Sequence, residues 1–93
     1  MPYSQKIIEI INEAPDGLGT DLGRWAVRRD VSIQRVSQLI GASRQTVYNW
    51  FTGTTDVTPA YQERVAQVIA VLKKTSQTDD AWRILCTTFN LKL

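Results

Sequence analysis

The chain has 93 residues, 43% of them apolar and 22% charged, with 5 Gly and 3 Pro; that balance suits one globular domain with a single core and excludes a disordered, collagenous or low-complexity chain. With no histidine and Cys86 as its one cysteine, it builds no intrachain disulfide, no Cys/His zinc site and no Ser-His-Asp or Cys-His nucleophile, so neither a metal nor a cofactor is expected. The net charge of +2 names no partner by itself, but residues 21–50 set Arg24, Arg28, Arg29, Arg35 and Arg44 against only Asp21 and Asp30, and arginine is the cation that grips phosphate and guanine bidentately.

The first predicted element covers Ser4 to Ala14, where Tyr3, Ile7, Ile10, Ile11 and Ala14 recur at helical spacing, and Pro15-Asp16-Gly17 stops it. A second helix runs from Asp21 to near Asp30 on Leu22, Trp25 and Ala26, with Arg24 and Arg28 outward. Ser32 caps a third helix whose stripe is Ile33, Val36, Leu39 and Ile40, and Gly41 ends it. Two residues later Ser43 caps a fourth, Arg44 to Phe51, with Val47 and Trp50 inward. Thr58-Pro59 opens a fifth on Tyr61, Val65, Val68, Ile69 and Leu72. Thr78 is the predicted cap of a last helix lined by Ala81, Trp82, Leu85 and Phe89.

No alternating strand pattern and no internal repeat is visible. The expected fold is all-α, a compact bundle of five to six short helices in one domain over 1–93: an N-terminal extension helix at 1–20, a core at 21–74 and a C-terminal helix at 75–93. The apolar run Val68 to Leu72 is far short of the roughly 20 residues that cross a bilayer, and the opening residues carry Glu9 and Glu13 where a signal peptide is uncharged. A cytoplasmic location without membrane contact is the expectation.

Ile33 to Phe51, IQRVSQLIGASRQTVYNWF, resembles the helix-turn-helix of phage Cro and repressor-type DNA-binding proteins, the lambda repressor-like fold. Val36 and Ile40 match its buried positions, Gly41 its left-handed turn, Val47 and Trp50 the anchors of its second helix. Leu22 and Trp25 match the core of the helix that precedes the motif; Val65, Val68 and Ile69 match the one that follows. The likeness spans roughly Leu22 to Leu72. Ser37 stands where the family most often has alanine, so its hydroxyl needs a partner, and Ile33 stands where many members brace the reading helix with a polar residue.

The resemblance implies that the fourth helix enters a major groove of double-stranded DNA, with Arg44, Gln45 and Asn49 at the reading positions and Tyr48 on the same side, either against a thymine methyl or sugar or on the rim of its own core. Phosphate contacts would come from Ser32, Arg35, Ser43, Thr46, Thr52 and Thr54, with Arg24, Arg28 and Arg29 either adding to them or pairing with Asp21, Asp30 or Glu63. The neutral hydroxyls of Thr52 to Thr55 imply fewer ion contacts and a moderate salt dependence. It further implies a transcription regulator, a repressor more than an activator, acting in the cytoplasm of a bacterial or phage-infected cell.

One such motif reads few base pairs, so a homodimer on a palindromic operator is expected. The candidate interface is Trp82, Leu85, Phe89 and Leu91; the competing assignment puts Trp82 over the chain's own core. Cys86 reads as a small packing residue there. An activator would touch RNA polymerase, for which the acidic helix bearing Glu9 and Glu13 is the candidate surface. An all-helical adaptor that binds polymerase or a toxin is the alternative from another class. An enzyme is the weakest reading, since Glu9 with Glu13 and Asp79 with Asp80 are read as solvated charge.

Overall fold

Serine caps, apolar stripes and glycine or proline stops produce six helices in the computed structural model, which describes residues 2–76 and 80–91: α1 Gln5–Glu13, α2 Leu18–Arg28, α3 Ile33–Ile40, α4 Arg44–Phe51, α5 Pro59–Lys74 and α6 Ala81–Thr88. No strand occurs among the described residues. The hydroxyls of Ser4, Ser32 and Ser43 each accept the N–H three residues on, at 3.1–3.2 Å, so three helix starts satisfy a backbone donor that would otherwise be orphaned. Helix α2 closes with Asp30 at φ 60 and the Val31 N–H donating to the Ala26 carbonyl at 2.9 Å, a Schellman closure that carries Val31 into the core. Asn90 and Leu91 repeat that closure after α6, where the Leu91 N–H reaches the Cys86 carbonyl.

Helix α2 packs against α1, α4 and α5, α3 lies on α4 and α5, and α6 covers α5 and α3. Their shared core holds Leu22, Ala26, Val36, Val47, Trp50, Phe51, Val65, Val68, Leu72 and Leu85. The Cα radius of gyration is 12.0 Å, close to the ~12 Å of one compact domain of this length.

Four expectations change. Helix α2 begins at Leu18, not Asp21, because Gly17 to Gly19 are the opening of a helix and not a loop. Ile10 faces solvent, while Ile11 on α1 and Tyr3 in the segment before it are buried. Thr58 makes no side-chain cap bond, so α5 opens on Pro59 alone. The cap of α6 is Asp80, whose carboxylate accepts the Arg83 N–H at 3.2 Å; Thr78 lies outside the described residues.

The glycines of α2 explain how closely it meets α4. A Cβ on Gly19 would stand 2.8 Å from the Trp50 Cβ and 2.9 Å from its carbonyl oxygen, and one on Gly23 would stand 2.8 Å from the Phe51 Cγ. A glycine in a helix interior gives up about 1 kcal/mol against alanine; here that loss permits two backbones to touch. Gly19→Ala is therefore expected to lower stability by about 1–2 kcal/mol, the helix gain being outweighed by overpacking against backbone that cannot rotate away. A urea unfolding curve measures it.

Tyr3 ties the segment before α1 to the turn before α3. Its buried hydroxyl donates to the Val31 carbonyl at 2.6 Å, and burial, aided by the charge of Asp30, pushes its pKa well above the ordinary 10.0. The folded state thus holds this proton more tightly than the unfolded one, so the contribution is complete below pH 10 and declines as pH rises beyond it. Tyr3→Phe should cost about 1–3 kcal/mol at neutral pH by leaving the carbonyl unpaired, and should remove part of the wild-type fall in stability at alkaline pH, both read from thermal melts at several pH values.

Candidate nucleic-acid interface

Helices α3 and α4 are joined by only three residues, and each has a defined task. Gly41 at φ 82 is left-handed, and its N–H donates to the Ser37 carbonyl at 2.8 Å. A Cβ there would meet nothing within 4 Å, so the backbone angle and not space demands glycine. Ala42 packs partly on the core, and Ser43 starts α4. The Ser37 hydroxyl finds its partner in the Gln34 carbonyl at 2.7 Å.

Helix α4 is held from one side. Val47 and Phe51 are fully buried, Trp50 is 1% exposed, and the Trp50 ring meets that of Tyr61 at 5.5 Å between centroids. The opposite side carries the four expected reading residues: Arg44 and Gln45 are exposed, Tyr48 and Asn49 partly so. The Gln45 Nε2 donates to the Asn49 Oδ1 at 3.0 Å. That bond leaves the Gln45 Oε1 free to accept and the Asn49 Nδ2 free to donate, which is the complement of the N6 donor and N7 acceptor of adenine in a major groove. Every ion pair among the described residues belongs to Arg24, so Arg44 presents an uncompensated charge.

The expected phosphate set divides. Ser43 and Thr46 share a hydroxyl hydrogen bond at 2.8 Å, which leaves one O–H of the pair to donate outward at the start of α4, and Ser32 holds the equivalent position on α3. Thr52 turns its hydroxyl back to the Tyr48 carbonyl at 3.0 Å and lies 2.9 Å from that of Thr54. Arg35 stacks on α6, its Cζ 5.0 Å from the Trp82 ring centroid.

Arg24 does not point outward as its helical position implied. It binds Asp16 at 2.7 Å and the Ala14 carbonyl at 2.7 Å, clamping the end of α1. Arg29 donates from Nε to the Leu72 carbonyl and the Thr75 hydroxyl, both at 3.1 Å, closing the end of α5. Of the expected partners, Asp21 lies 3.9 Å from Arg24, while neither arginine pairs with Asp30 or Glu63 among the described residues.

The expected dimer surface also changes. Leu85 is fully buried in the chain's own core and Cys86 is 1% exposed, so Leu85 offers nothing to a second copy. Trp82 and Phe89 are partly covered by Arg35 and Arg64, each guanidinium about 5 Å above its ring, and Leu91 packs partly on the core. The helix periodicity that grouped these side chains is the signature of docking on α5 and α3.

Gly19 and Gly23 are the positioning residues that the sequence reading missed; two glycines four apart inside an amphipathic helix were the available signal. Among the described residues no group of three or more His, Cys, Asp or Glu gathers to hold a metal, and no helix is long and apolar enough to cross a membrane. Comparison with protein-family models, with curated proteins and with solved structures gives no significant match for this chain.

Proposed function

We propose that the chain is a sequence-specific double-stranded DNA-binding transcription regulator, a repressor that reads a palindromic operator as a homodimer. The observation that carries this reading is the two-sided character of α4: Val47, Trp50 and Phe51 fix its orientation from inside, while Arg44, Gln45 and Asn49 stand outside with donors and acceptors suited to guanine and adenine edges. The serine-capped starts of α3 and α4 supply backbone and hydroxyl donors for flanking phosphates. Trp82, Phe89 and Leu91 are the partly exposed remainder of the dimer surface.

A second reading rests on Ile10, which is 37% exposed and the one exposed large apolar side chain among the described residues. It sits beside Glu9 on α1, and an apolar side chain among acids suits a protein contact such as an activator makes with RNA polymerase. Selection of retained duplexes from a random pool at two salt concentrations tests the main reading. A palindromic preferred site is the expected outcome; retention of no duplex at low salt contradicts it, and retention without any preference contradicts base reading.

A further inference from the structure

Away from α4, three guanidiniums converge. Arg28 and Arg29 at the end of α2 and Arg35 on α3 line a cavity of about 280 Å³ together with Asp30, Asp80 and Trp82. Arg28 and Arg35 are exposed and Arg29 partly so, yet all three rest on tryptophan rings. Arg28 lies 5.0 Å from the Trp25 ring centroid and Arg35 5.0 Å from that of Trp82. A cation–π contact restrains a guanidinium through the ring quadrupole and consumes none of its N–H donors. Neither arginine has an ion-pair partner among the described residues. Arg29 is anchored through Nε on Leu72 and Thr75, so its terminal nitrogens also remain unspent. Of the two carboxylates, Asp80 is engaged in capping α6, and three guanidiniums against two carboxylates leave the cavity positive.

We propose that Arg28, Arg29 and Arg35 form a binding site for a phosphate group, of the kind carried by phosphate monoesters. Guanidinium forks match phosphate oxygens bidentately, and prior restraint by aromatic rings lowers the entropy lost on binding. The volume sits at the lower limit of ligand sites, roughly 300–1,000 Å³, so it accommodates a phosphate with a small appendage and not a large apolar molecule. The site uses none of the base-reading residues of α4 but shares Arg35 with the phosphate set expected for DNA, so its test has to separate a free phosphate from a DNA backbone.

The full chain, titrated first with inorganic phosphate and then with adenosine 5′-monophosphate at constant ionic strength, tests this by ¹⁵N-resolved resonances of the arginine Nε–H groups and the Trp82 indole. Saturable shifts at Arg28, Arg29, Arg35 and Trp82 are expected, with Arg64 and Arg83 unmoved. The double variant Arg28→Gln, Arg35→Gln should weaken phosphate binding about tenfold or more, and Arg35→Lys, which keeps the charge and loses the fork, should weaken it less. Duplex DNA added to the phosphate-loaded chain separates the sources: simultaneous binding supports a site for a free monoester, and release of phosphate overturns it by giving the arginines to the DNA backbone. Shifts that do not saturate, that chloride reproduces, or that persist at equal affinity in the folded Arg35→Lys variant overturn the site.

Discussion

Trp50→Ala is expected to cost about 3–5 kcal/mol, the range for removing a large aromatic from a packed core. Trp50 is 1% exposed, meets Tyr61 and lies against Gly19 of α2. It therefore ties together α2, α4 and α5 at one point. The total stability of a domain this size is about 5–14 kcal/mol, so the variant should be marginal or unfolded at 37 °C, with a thermal midpoint lower by tens of degrees. Trp50→Phe keeps much of the apolar volume and should lose markedly less. A variant that melted within a few degrees of the parent would show that α4 is not held by this residue.

Arg44→Ala should leave stability almost unchanged and weaken binding to the preferred duplex about 5- to 150-fold, the equivalent of the 1–3 kcal/mol carried by one bidentate contact to guanine. Arg44 is exposed and has no ion pair among the described residues, so removing it disturbs nothing inside. The loss should concentrate at one base position in each half-site, with other positions read as before. Competition titrations with singly substituted duplexes distinguish this from a general loss of charge, which would weaken all sequences alike. Uniform weakening would assign Arg44 to the phosphate backbone.

The helix pair α3–α4 was legible residue by residue because local chemistry alone determines it. Ser32, Gly41 and Ser43 act through their own backbone neighbours, and Val36, Val47 and Trp50 follow helical spacing. What depends on tertiary packing was not legible. Helix α1 carries Ile7, Ile8, Ile10 and Ile11, so spacing does not say which of them turns inward until α2 packs against it. Arg24 looks outward on a helical wheel, yet the end of α1 lies beside it. Gly19 looks like a breaker until α4 supplies the backbone that requires it. Leu85 and its neighbours form an apolar stripe whether the surface they meet belongs to the same chain or to another, and only the docking of α6 on α5 and α3 decides.

Base reading by α4 is tested by following the side-chain amide resonances of Gln45 and Asn49 while duplex DNA is added to the intact protein. Both should move early and together, since one hydrogen bond joins them, while the amides of Gln62 and Gln67 on α5 stay in place. Duplex-induced changes confined to surfaces other than α4, or none at low salt, would contradict it.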